Sequence, residues 1–174
     1  MIKRSICFDD VLLVPQKSDI DSREEIILTT HISDRKFRLP IISSPMDTVT
    51  ESAMAIAMFK RGGLGIIHRY NTVEEQCEIV RSISSFFEET GNSNINNIAA
   101  AIGTSSDFSS RAAALYQCGA RIMCIDVAHG HHRLVEKSIK TVKDLFGGEV
   151  VVIAGNIATP EGFRDLSNWG ADAV

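Results

Sequence analysis

The chain has 174 residues, 44% hydrophobic and 23% charged, with a mean hydropathy of +0.05, a balance suited to a globular protein with one sizeable core. Eighteen Lys and Arg against 22 Asp and Glu leave a net charge of −4, and the basic residues are scattered, so there is no footprint for nucleic acid or an anionic membrane. No window approaches the ~18 apolar residues of a spanning helix. The N-terminal apolar stretch is too brief for a signal peptide. Cys7, Cys77, Cys118 and Cys124 lack both CxxC spacing and the density of a secreted scaffold, and a reducing cytoplasm is the expected setting.

From residue 39 onward, short apolar runs alternate with capped amphipathic segments, each pair reading as one βα unit. The run from Leu39 leads through Pro45-Met46-Asp47 to Thr48 and Glu51, spaced as a capping box, and a helix Ser52 to Lys60 closed by Gly62-Gly63. The run Leu64 to Arg69 leads to a second box, Thr72 and Glu75, and a helix to about Ser84. Phe86 to Asn97, polar and aperiodic, reads as a mobile surface loop. The run from Ile98 leads past Asp107 to a helix ending at Cys118-Gly119. The run Arg121 to Asp126 precedes a helix from about His132 to Phe146, stopped by Gly147-Gly148. The run Val150 to Asn156 leads to Thr159-Pro160, an N-cap followed by proline at the first helical position, with the helix ending at Trp169-Gly170. A sixth run begins at Ala171 and is cut off at Val174.

Strand starts about 21 to 34 residues apart suit consecutive parallel units, whose crossovers need a dozen residues or more. The runs are continuously apolar, as a sheet covered on both faces requires. A dinucleotide fold calls for a Gly-rich turn after the first strand, and Ser43 to Val49 contains no glycine. The sequence therefore predicts an α/β fold, an incomplete (β/α)8 TIM barrel of about five βα units and the start of the sixth strand. Such a barrel typically needs about 250 residues, so exposed sheet edges are expected. Residues 1–174 read as the N-terminal part of a single barrel domain.

Phe8 to Pro15, Ser43 to Glu51, Gly62 to His68, Ile125 to His131 and Ala154-Gly155-Asn156, in that order, resemble the IMP dehydrogenase/GMP reductase family across nearly the whole chain. The resemblance implies a closed barrel, usually a homo-tetramer, acting on a purine nucleotide monophosphate (IMP or GMP) with NAD or NADP. It also implies that the nucleophilic cysteine lies beyond Val174, so that no catalytic residue falls in this segment and the segment alone cannot complete a turnover. A structural, non-catalytic fragment is the alternative of another class.

Active sites of barrels gather at the C-terminal ends of the strands, which draws attention to Ser44, Met46, His68 to Tyr70, Thr104, Asp126 to His129 and Asn156. A carboxylate at Asp126, closing an apolar run, is costly to bury without partners, and two ribose hydroxyls would supply them. By resemblance Asp126 holds the ribose of the cofactor's nicotinamide half, with Val127 and Ala128 lining that pocket, and Asn156 sits between cofactor and substrate. Met46 supplies an apolar wall to the purine and Ser44 a hydroxyl. An N-cap or salt-bridge role for Asp126, an Asx turn at Asn156 and plain core packing for Met46 are the bland alternatives. His129, His131 and His132 are read as solvated residues at a helix start rather than metal ligands, because adjacent His131 and His132 cannot converge on one ion. Cys124, in register with Asp126, should point into the barrel and be inert.

Met46 to Glu51 reads like IMP dehydrogenase. The short stretch 86–97, where dehydrogenases commonly carry an inserted regulatory module, together with His68-Arg-Tyr70 and Ile125 to Gly130, leans toward GMP reductase. The sequence reading favours IMP dehydrogenase (IMP + NAD to XMP + NADH), with GMP reductase (GMP + NADPH to IMP + ammonia) as the alternative.

Overall fold

A computed structural model of the chain describes residues 6–91 and 96–174. The apolar runs form β3 (Ile42–Ser43), β4 (Leu64–Ile67), β5 (Ala99–Ile102), β6 (Ile122–Asp126) and β7 (Val151–Gly155), preceded by two short strands, β1 (Thr30–Ile32) and β2 (Arg35–Phe37). The helices are α1 (Ser52–Arg61), α2 (Val73–Glu89), α3 (Phe108–Gln117), α4 (Arg133–Phe146) and α5 (Pro160–Asn168).

Strands β3 to β7 form one parallel sheet whose spatial order is the chain order. A doubly wound sheet reverses its order at a switch point, and none occurs here. Ala173 continues the progression through a parallel bridge to Ile153, with Ala154 N–H donating to its carbonyl at 3.0 Å. The architecture is an α/β half-barrel, a curled parallel sheet with its helices on one side.

Period-two alternation sorts each strand between two cores. Ile67, Ala100, Ile102, Met123, Ile125, Val152 and Ala154 face the helices and pack with Val80, Ile83, Leu115 and Ile139. Leu64, Ile66, Ala99, Ala101, Ile122, Cys124 and Val151 face the other way and form the inner cluster. Each side chain taken fully out of water contributes roughly 1.5–3 kcal/mol, so the helix-facing layer dominates the fold's stability. Gly65 lets α1 approach closely, since a Cβ there would lie 2.6 Å from Ala55 Cα.

The structure departs from the sequence expectations at several places. The hairpin β1–β2 carries no apolar run to announce it, yet it seats Phe37, 5% exposed, against the inner cluster beside Ile32. Its turn passes through Ser33 at φ 54°. The first capping box does not form. Thr48 N–H bonds the adjacent Asp47 carboxylate, and Glu51 is an N-cap without a side-chain bond, its carboxylate turned to His68. The second box, Thr72 with Glu75, forms as expected. Helix α2 runs on to Glu89, because Phe87 packs against Phe59 and the core, with Phe86 beside it, instead of starting a loop. The predicted 86–97 loop therefore begins only at Thr90, and residues 92–95 of it lie outside the described residues. Thr159 caps α5 through Gly162 N–H, with Pro160 at its first position. Among the described residues no helix is long and apolar enough to cross a membrane.

Candidate functional site at the strand C-termini

Asp126 closes β6 on the inner face, two residues beyond Cys124, and pairs in register with Gly155 at the end of β7. It is partly exposed, and no hydrogen bond to its carboxylate is made among the described residues. The ladder continues past both strands. Val127 N–H donates to Gly155 O at 3.1 Å, and Asn156 N–H to Val127 O at 2.8 Å. The Asn156 side chain adds a bond from Nδ2 to the same Val127 carbonyl at 3.0 Å. Asp126, Val127, exposed Ala128 and exposed Asn156 are thus brought together on two joined loops.

Ser44 and Met46 lie at the same end of the sheet but after β3, on its other flank. Three strand spacings of about 4.8 Å separate β3 from β6, roughly 14 Å along the sheet. The sheet separates the sequence-predicted site residues into two groups facing one mouth. Ser44 and Met46 are exposed, Met46 at 51%. Their loop is pinned by buried Thr50, whose hydroxyl meets Ser44 O at 2.7 Å and Ser43 Oγ at 2.9 Å, while Thr50 N–H donates to Met46 O at 3.0 Å.

Three further residues shape the mouth. Arg69, after β4, reaches across the end of β5 and donates from Nη2 to Asp126 O at 3.1 Å, its guanidinium packed beside Gly103 and over Tyr70. Gln76, fully buried on α2, donates to both His68 O and Ala101 O at 2.9 Å and accepts from Arg111 Nη1 at 2.8 Å. His68, 3% exposed, accepts at Nδ1 from Tyr70 N–H and has Nε2 3.3 Å from Glu51. A sequence signal for Gln76 existed: it lies on the buried stripe of α2 with Cys77, Val80, Ile83 and Phe87. Arg69 announces itself only through its place after an apolar run.

The three histidines near β6 diverge. His132 caps α4 by accepting from Leu134 N–H, His131 Nε2 pairs with Asp165 on α5 at 2.8 Å, and His129 is exposed. His131 is therefore a link between elements rather than a merely solvated side chain. Cys124 is buried in the inner cluster, and burial, followed by the charge of Asp126, pushes its thiol up to about 12. It is held as the neutral, unreactive thiol. Cys77 is buried on α2, its thiol raised to about 11 by burial and then by hydrogen bonding with Cys118.

A half-barrel carrying a polar, partly exposed cluster at the C-terminal ends of its strands defines an α/β-barrel protein of the class that places its ligand sites at that end. The model of the IMP dehydrogenase / GMP reductase domain matches residues 5–174, and the chain belongs to that family. It is similar to inosine-5'-monophosphate dehydrogenase of Borreliella burgdorferi, 31% identical over 214 residues, covering 99% of this chain and 53% of the relative. The Cryptosporidium parvum protein of the same name is 30% identical over 208 residues (99% and 51%), and that of Staphylococcus aureus 28% over 292 residues (99% and 59%). The chain spans somewhat more than half the length of these relatives.

Proposed function

We propose that this chain supplies the N-terminal part of the barrel of a purine nucleotide oxidoreductase, which as a full-length protein oxidises IMP to XMP with NAD. The observation that carries the reading is the Asp126–Asn156 cluster at the mouth, in a chain whose named relatives are IMP dehydrogenases. The Asp126 carboxylate offers two acceptors to vicinal ribose hydroxyls, with Val127 and Ala128 as the adjoining wall, so the residues fit the nicotinamide ribose. A bound nicotinamide would supply the hydride acceptor. Asn156 would lie between cofactor and nucleotide, with Ser44 and Met46 taking the purine nucleotide on the opposite flank. No residue of this segment bonds covalently to substrate in this reading; the attacking cysteine belongs to sequence outside these 174 residues.

GMP reduction with NADPH is the second reading, favoured by the short connection between α2 and β5 and by the wording His68-Arg69-Tyr70. That connection does not select the reductase by itself. Matches to relatives named dehydrogenase extend over 208 to 292 residues against 174 in this chain, so those relatives differ in how much they carry between the shared parts. Homo-tetrameric assembly and a cytoplasmic setting complete the proposal, the former tested by sedimentation of the full-length protein.

The deciding experiment incubates full-length protein with IMP plus NAD, or with GMP plus NADPH, and follows absorbance of the reduced cofactor. A rise with the first pair is expected. A signal confined to GMP replaces the dehydrogenase reading by the reductase, and silence with both leaves the non-catalytic alternative. In the active protein, Asp126→Ala should raise the KM for cofactor far more than that for nucleotide.

A further inference from the structure

The geometry points to Gly130 as a positioning residue that fastens the loops after β6 and β7 into one ligand-holding platform that anchors Asn156. This rests on the proposed function for its ligands, although the platform itself is a property of the fold.

Gly130 is buried while Ala128 and His129 before it are exposed. Its N–H donates to Asn156 O at 2.6 Å, and its own carbonyl accepts from His132 N–H at 2.8 Å, where α4 is capped. With the Val127–Gly155 and Asn156–Val127 bonds, the backbone of Asn156 is held from both sides. A Cβ at Gly130 would lie 2.9 Å from Asn156 O, 2.9 Å from Gly155 C and 3.1 Å from Asn156 N. All three are backbone atoms, which cannot rotate aside as a side-chain tip does. Gly130 has no left-handed φ, so space alone, not conformation, demands glycine.

The same platform fixes the polarity of Asn156. Its amide faces the Val127 carbonyl at 3.0 Å, and a carbonyl can only accept, so the NH2 must point there. Oδ1 is left to accept from a ligand donor such as a ribose hydroxyl or a ring or amide N–H, and the second Nδ2 hydrogen has no acceptor among the described residues.

The test uses full-length protein, with Gly130→Ala beside Gly148→Ala, where a Cβ meets nothing within 4 Å. For Gly130→Ala, KM for cofactor and for nucleotide should each rise about tenfold or more, since sub-ångström to 1 Å misplacements carry losses up to about 100-fold. Gly148→Ala should match wild type. Gly130→Ala combined with Asn156→Ala should be no worse than the poorer single variant, because both act through one group. Gly130→Ala with both KM values within about twofold of wild type, or effects that simply multiply in the double variant, overturns the proposal. Hydrogen exchange on ligand-free wild type decides independently of activity and of whether the variant folds. The amides of Val127, Gly130 and Asn156 should open as one group, and unrelated exchange rates for Gly130 and Asn156 overturn the platform. Wild type inactive toward both substrate pairs would refute the proposed activity while leaving that exchange measurement to decide the platform.

Discussion

Replacing Gln76 by Leu tests whether the mouth of the half-barrel is built on a buried polar hub. The change keeps roughly the same volume and removes three hydrogen bonds: to His68 O and Ala101 O, both 2.9 Å, and from Arg111 Nη1 at 2.8 Å. Each neutral bond contributes about 0.5–1.5 kcal/mol, and one to a charged group about 1.5–3 kcal/mol. Arg111 retains Asn71 O and Asp107, which softens its loss. The new Leu methyls at a site with no exposure return about 1 kcal/mol by burial. The net expectation is a loss of about 2–3 kcal/mol. With m near 1–3 kcal/mol/M, the urea midpoint of the full-length protein should fall by about 1 M. Gln76→Glu should also destabilise, because it keeps an acceptor for Arg111 but loses both donations at neutral pH. A Gln76→Leu protein within about 0.5 kcal/mol of wild type would show that the two carbonyls and Arg111 are satisfied otherwise, and the hub argument would fall.

Gly65→Ala should cost about 1–3 kcal/mol, since α1 must retreat from a Cβ 2.6 Å from Ala55 Cα; an unchanged denaturation midpoint would contradict this. Thr72→Ala should cost about 1 kcal/mol through the lost cap of α2, read by the same titration. Bonds from the Thr72 backbone N–H and then its hydroxyl hold the Glu75 carboxyl below its ordinary 4.5. A folded-state value below the unfolded one gives stability that is present above about 4.5 and lost as pH falls through the folded value. Glu75→Gln should therefore flatten the acid limb of the stability–pH curve, and an unaltered limb would contradict the assignment. Alkylation of the native protein near pH 8, followed by mass spectrometry, should modify exposed Cys7 and spare Cys124, whose thiol stands at about 12; labelling of both at one rate would mean that Cys124 is reachable.

The βα progression was legible because its signals are local: apolar runs with glycine and proline punctuation, and caps such as Thr72 and Thr159. The order of the strands followed from the absence of a Gly-rich turn, and the inward register of Cys124 and Asp126 from the two-residue period of a strand. What escaped depends on distant contacts. Nothing in Thr30 to Phe37 says that Phe37 will find the inner cluster, and no spacing reveals that Glu51 prefers His68 to its own helix. The continuation of α2 through Glu89 was hidden because the polar residues after Phe87 mask the stripe that Phe87 extends, and its seat depends on the distant Phe59, against which it packs. At the candidate site, residue types at strand ends named Asp126 and Asn156, but their joining depends on Gly130, whose role shows only once the second loop lies against it.

Pairing each strand with its predecessor also has a kinetic consequence. Each of β4, β5, β6 and β7 finds its first hydrogen-bonded partner in the strand just before it, so the loop closed at each step is one βα unit long and its entropic cost stays nearly constant. Such a sheet can be laid down as it leaves the ribosome, each emerging strand docking on an edge already in place.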